Sequence, residues 1–225
     1  TKELAERCDK VLAIEIDEGL KPILSETLAE YDNVEIVFAD VMKTDLKSLI
    51  AEKLGGFDEI YVCANLPYYI TSPVIMRLLE ERLPISAVTV MVQKEAAERL
   101  CAKPGERECG AVTIAVNYYS TPKLLFKVNR GSFMPAPNVD SAVIRLDISR
   151  EPKFSVNDEA LFFRLVHAAF AQRRKQMINP LSAALGIDKN ELANKMELCG
   201  VKATARPEEL KMQDFVKLCN TISEK

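Results

Sequence analysis

Along the first hundred positions, apolar residues follow two rhythms that take turns. Short runs rich in β-branched residues, Val11–Ile16, Val34–Phe38, Glu59–Ala64 and Ala87–Val92, each stop near a polar or turn residue. Between them, segments 1–10, 18–31 and 42–54 have helical spacing, and Leu20, Ile23, Leu24, Thr27 and Leu28 share one face. Residues 71–82 and 93–102 add two more helices. Strand and helix in strict alternation predict right-handed βαβ units and a parallel sheet. Segment 111–120 is ambiguous: Val112, Ala115, Val116 and Tyr119 fit a helical stripe, while the composition favours a strand.

The rhythm then changes. Leu124–Val128 and Val139–Ile148 read as strands, joined by Gly131-Ser132-Phe133-Met134-Pro135-Ala136-Pro137, which is too proline-rich for a central strand. From Glu151 strand signals stop and helical ones follow, over 158–178, 180–185, 188–198 and 207–222. The expected organisation is an α/β domain over residues 1–150 and a small all-helical domain over 151–225.

Composition narrows the function classes. In 225 residues there is no apolar run of about 18, so no membrane-spanning helix is expected. The start, Thr1-Lys2-Glu3-Leu4, has neither the basic nor the apolar region of a signal peptide. The six cysteines form no C-x-x-C pair and His167 is the sole histidine, which disfavours a structural metal and a histidine-dependent hydrolase. A reducing cytoplasm suits such cysteines. His167 itself is expected in the core or an interface. The net charge of −3 hides an asymmetry. Residues 1–150 hold 18 basic and 23 acidic side chains, and residues 151–225 hold 12 and 10. Arg173-Arg174-Lys175 is the densest cationic cluster and suits phosphate contacts in RNA.

Candidate chemistry gathers where strands end, as sites do in open α/β sheets. Glu15, with Ile16 beside it, closes the first run here. A carboxylate at such a place can accept two ribose hydroxyls, although Asp17 just after it could simply cap a helix. Asp40, followed by Val41, closes the next run; its carboxylate could accept an adenine amino group or cap the helix at 42–54. Lys94 and Glu95 read as a charged helix start.

Directly after the run ending at Ala64 stands Asn65-Leu66-Pro67-Tyr68. This resembles the N-[LI]-P-Y form of the motif of amino methyltransferases. An exocyclic adenine amine is a poor nucleophile, because its lone pair is delocalised into the ring. The Asn65 side-chain oxygen and the Leu66 carbonyl can each accept an N–H and favour a pyramidal nitrogen, and Tyr68 can stack on an extruded base. Phe133-Met134-Pro135-Ala136-Pro137-Asn138-Val139-Asp140-Ser141 is similar to the F-x-P-x-P-x-V-D-S segment of the KsgA/RsmA family of small-subunit ribosomal RNA adenine N6,N6-dimethyltransferases. There Phe133 would form the second stacking wall. Val92–Glu95 and Phe170–Lys175 also resemble that family, from about residue 10 to 210 overall.

The resemblance implies a Rossmann-like class I methyltransferase domain with a small helical domain, and S-adenosylmethionine as donor with no metal. It implies Glu15, Ile16, Asp40, Val41 and Asn65 as donor contacts, and Asn65, Leu66, Pro67, Tyr68 and Phe133 as catalytic. The expected partner is small-subunit rRNA in a 30S precursor, met by a cytoplasmic monomer through Arg173, Arg174 and Lys175. Two adjacent adenosines of one hairpin would be dimethylated. Two alternatives remain: an antibiotic-resistance methyltransferase acting on large-subunit rRNA, or a non-enzymatic nucleic-acid binder on the same fold. One departure stands out. The family holds the methionine part of the donor in a glycine-rich loop after its first strand, yet no G-x-G occurs among the eight glycines here. The chain is therefore expected to begin inside a larger protein, without that strand and loop, and to be inactive as given.

Overall fold

The computed structural model describes residues 1–172 and 175–224. They form two compact units: residues 1–60 with 73–85, and residues 61–72 with 86–225.

In the first unit, strands β1 (Val11–Glu15) and β2 (Val34–Phe38) pair in parallel, with Val11 opposite Val34 and Glu15 opposite Phe38. Helix α2 (Lys21–Thr27) joins them, with Pro22 in its first turn. There the ring preorganises the helical φ, and its missing N–H would have had no intrahelical partner. Helix α3 (Leu46–Leu54) starts at Asp45, whose carboxylate accepts the Ser48 amide at 3.0 Å. Leu46 and Ile50, four residues apart, are its buried positions. The helix expected over 1–10 is a single turn, α1 (Lys2–Ala5). Asn33 Nδ2 donates to Ala5 O and Cys8 O, both at 2.8 Å, and so satisfies carbonyls that a continuing helix would have used.

In the second unit the strand order is β3 (Tyr61–Asn65), β4 (Ala87–Gln93), β6 (Ser141–Ile148), β5 (Ser120–Val128). β3 and β4 are parallel, whereas β6 runs antiparallel to both β4 and β5. The sheet is therefore mixed rather than wholly parallel. β5 and β6 are joined by one loop rather than a crossover helix, and such a connection reverses the chain. β4 and β6 are its buried centre: Val88, Val92, Ala142, Ile144 and Leu146 are fully enclosed. Pro122 sits on the edge strand β5, where a missing N–H is tolerated.

Helix α4 (Thr71–Glu80) precedes β4, and α5 (Lys94–Cys101) follows directly from it. α6 (Ala111–Tyr119) settles the ambiguous segment as helix, with six of its nine residues buried. α5 and α6 pack on each other and on β5. The tail comprises α7 (Glu159–Phe170), α8 (Ile178–Leu185), α9 (Lys189–Leu198) and α10 (Met212–Ser223). α7 buries Phe162, Leu165, Val166 and Ala169 as its spacing requires, against α6, α8 and α10. It ends at Phe170, eight residues earlier than expected. Gly186, at φ +68°, takes the left-handed turn that closes α8. His167 is exposed on α7 rather than in the core.

Candidate methyl-donor and target-base sites

Parallel register brings Glu15 and Asp40 to the ends of neighbouring strands. Glu15 is the last residue of β1, and its carbonyl accepts the Ala39 amide at 2.8 Å, one residue before Asp40. Both carboxylates are oriented by local amides. Glu15 Oε1 accepts from Asp17 N and Asp40 Oδ1 from Met42 N, each at 2.8 Å. Neither residue caps a helix: Asp17 caps the short turn after β1, and Asp45 caps α3. Ile16, between Glu15 and Asp17, is 68 % exposed, an apolar surface beside a carboxylate. Nearby Asp45 is held below the ordinary carboxylate range, chiefly by the Ser48 amide and then by the Ser48 hydroxyl. Two aimed acceptors flanked by an apolar side chain fit a ribose diol and an adenine amine.

Asn65 is the exposed last residue of β3, opposite Met91 of β4. Pro67 then turns the chain, and its carbonyl accepts the Ile70 amide (3.1 Å) and the Thr71 hydroxyl (3.2 Å). Thr71 is almost fully buried, so the turn is anchored into the start of α4. Tyr68 is 37 % exposed and its hydroxyl lies 3.0 Å from Ser141 Oγ, which is fully enclosed. This pair ties the Asn65–Tyr68 turn to the first residue of β6.

The loop bearing Phe133 is pinned by Asp140. Its carboxylate accepts the Arg130 amide at 3.0 Å, and its carbonyl accepts the Lys94 amide at 3.0 Å, where α5 begins. Asn129 caps the turn through Gly131 N at 2.8 Å. Phe133 is half-buried in this loop. Asp140 and Ser141 thus carry structural reasons for a segment that sequence reasoning valued only for Phe133. No sequence signal marks Ser141 as the partner of a tyrosine 73 residues away. Lys94 and Glu95 open α5, as a charged helix start does.

Of the cationic cluster, Lys175 is exposed, and Arg173 and Arg174 lie outside the described residues. Among the described residues no group of histidine, cysteine and carboxylate side chains could hold a metal ion, and no helix is long and apolar enough to cross a membrane.

Comparison with known proteins agrees with this geometry. The family model for ribosomal RNA adenine dimethylases matches residues 1–224. Ribosomal RNA small subunit methyltransferase A of Alkaliphilus oremlandii (strain OhILAs) is 48% identical over 226 residues, covering 100% of this chain and 78% of that protein. The protein of the same name from Geobacillus thermodenitrificans (strain NG80-2) is also 48% identical, over 99% of this chain and 77% of its own length. Among solved structures, a dimethyladenosine transferase from Plasmodium falciparum superposes with a TM-score of 0.76 at 24% identity, covering 96% of this chain and 82% of that one. The 23S rRNA methyltransferase ErmE gives 0.72 at 23%, covering 99% and 86%. The fold is that of the Rossmann-like methyltransferases, and the chain belongs to the ribosomal RNA adenine dimethylase family.

Proposed function

We propose that this protein dimethylates the N6 amines of two adjacent adenosines in a small-subunit rRNA hairpin. The observation that carries the reading is the Asn65–Tyr68 turn, braced through Tyr68 to Ser141 and through Pro67 to Thr71. A pure nucleic-acid binder has no need of such a turn. Small-subunit substrates are favoured because relatives at 48% identity are named small subunit methyltransferases. The likeness to the 23S rRNA methyltransferase ErmE, at 23% identity, shows the fold and carries no argument for a large-subunit substrate.

Membership of the family implies S-adenosylmethionine as methyl donor; when bound, it supplies an electrophilic methyl on a sulfonium. Glu15 would hold its ribose, Asp40 its adenine amine, and Ile16 and Val41 its purine face. Asn65 Oδ1 and the Leu66 carbonyl would accept the two N–H groups of the target amine and turn its lone pair toward the methyl. After the first transfer one N–H remains, so either acceptor suffices for the second. The proton becomes acidic only once the nitrogen is alkylated, so water can remove it and no strong base is needed. Positioning and preorganised acceptors therefore carry the catalysis. Tyr68 and Phe133 would sandwich the extruded base. Residues 151–225 act as the RNA-binding domain, with Arg173, Arg174 and Lys175 on phosphates, in a cytoplasmic monomer.

The test is Asn65→Ala in the complete enzyme. Loss of one preorganised acceptor should slow single-turnover methyl transfer by about 100- to 1000-fold, with donor affinity nearly intact. Near-normal turnover would overturn the assignment.

A further inference from the structure

The turn that presents Asp40 is braced by an arginine far away in the chain. Arg77, on α4, is only 18 % exposed. Its Nη1 donates to Val41 O (2.5 Å) and its Nη2 to Thr44 O (2.6 Å), across 36 and 33 residues, while Nε is paired with Glu81. The turn closes on Asp40 as well: the Lys43 amide (2.9 Å), the Thr44 amide (3.0 Å) and the Thr44 hydroxyl (2.8 Å) all donate to Asp40 O. A solvated helix arginine paired only with its i+4 glutamate would be an ordinary surface feature. One that spends both terminal nitrogens on two carbonyls of a single turn is a clamp.

The clamp acts on one peptide plane in particular. Between Val41 and Met42, the carbonyl is held by Arg77 and the N–H by Asp40 Oδ1 at 2.8 Å. Rotation of that peptide would break the Arg77 bond and release the carboxylate that the Met42 amide orients. The planar guanidinium reaches two carbonyls and a carboxylate at once; a lysine ammonium, a point charge on a flexible stem, cannot reproduce that fork.

We propose that Arg77 is a positioning residue for recognition of the methyl donor's adenine, fixing the Val41–Met42 peptide and through it the direction of the Asp40 carboxylate. The inference rests on the reading of Asp40 as the adenine acceptor. The Arg77 guanidinium is engaged by Val41 O, Thr44 O and Glu81, so its effect on the donor would pass through the turn it holds. Its loss should weaken adenosine recognition and leave RNA affinity alone.

The experiment compares wild type, Arg77→Met, Arg77→Lys and Asp40→Ala, all confirmed folded by thermal unfolding. Amide hydrogen exchange reads the turn directly, and adenosine titrated in and followed by NMR reads the site. In Arg77→Met, Met42 should lose at least tenfold of its protection, with the Leu49 amide inside α3 unchanged. The adenosine dissociation constant should rise about tenfold, the scale of one lost charge-assisted hydrogen bond. Arg77→Lys should recover part of both, and should carry the test if the methionine variant fails to fold. Normal Met42 protection and normal adenosine affinity in Arg77→Met, with weakened binding in Asp40→Ala, would overturn the clamp alone. If Asp40→Ala bound adenosine as well as wild type, the donor-site reading would fall instead, and the claim about adenine recognition with it.

Discussion

Replacing Ser141 by alanine tests whether the Tyr68 wall is held by its partner on β6. Ser141 is fully enclosed, Tyr68 is 37 % exposed, and their hydroxyl oxygens are 3.0 Å apart. A neutral hydrogen bond of this kind is worth about 1 kcal/mol net. In Ser141→Ala the tyrosine hydroxyl can turn to water, so the loss should stay near that figure, or about 2–4 °C in Tm for a chain of this size. Tyr68→Phe is the harsher change, because it strands a fully buried serine hydroxyl, a cost of about 1–3 kcal/mol. The double variant should lose less than the two single losses combined, by a coupling of about 1 kcal/mol. Base–aromatic stacking contributes about 1–3 kcal/mol, so a loosened ring should also weaken capture of the extruded base by roughly threefold. Thermal unfolding reads the first quantity. An RNA with 2-aminopurine at the target position, whose fluorescence rises on unstacking, reads the second. If the single losses simply add, and base capture is unchanged in Ser141→Ala, the pair does not position Tyr68.

Glu35 bridges Lys53 (2.8 Å) and Lys10 (3.3 Å), and its carboxyl sits below the ordinary value, chiefly through the hydrogen bond from Lys53. A lowered folded pKa contributes stability above the ordinary carboxylate pKa that disappears as pH falls through the folded value. Glu35→Gln should therefore lower the urea midpoint at neutral pH and match wild type in strong acid; an undiminished gap there would refute the linkage. Burial pushes the Cys101 thiol up from 9.0 to about 11 and the Cys219 thiol likewise to about 11, whereas Cys8 and Cys63 are exposed. A thiol reagent at mildly alkaline pH should modify Cys8 and Cys63 first, and stability should fall as pH rises from about 9 toward 11. Peptide mapping that found Cys219 modified first would contradict this. Neutralising Arg173, Arg174 and Lys175 should weaken RNA binding and flatten its salt dependence by about 0.7–0.9 log unit per lost phosphate contact. An unchanged slope would place the RNA surface elsewhere.

Much of this was legible in the sequence, for reasons that can be named. β1, β2 and β4 were readable because β-branched runs stop at polar residues, and those same stops carry Glu15 and Asp40. Strand-end position alone left each carboxylate open to a capping role; only the amides of Asp17 and Met42 show where they point. α6 hid because a helix buried on most of its surface has no polar face to reveal its period. α1 was overread because what ends it is Asn33, a long-range donor. Ser141 and Arg77 were missed for the same reason. Each acts across more than thirty residues on a turn whose own sequence gives no hint of a brace.

The most direct measurement is of the modified RNA itself. The gene encoding this chain, at its natural length, would be expressed in cells lacking their own small-subunit adenine dimethylase, and the 16S rRNA read by mass spectrometry. Wild type should restore two adjacent N6,N6-dimethyladenosines, and Asn65→Ala should leave both adenosines almost wholly unmodified. Absence of dimethyladenosine with wild type, or its full restoration by Asn65→Ala, would contradict the proposed function.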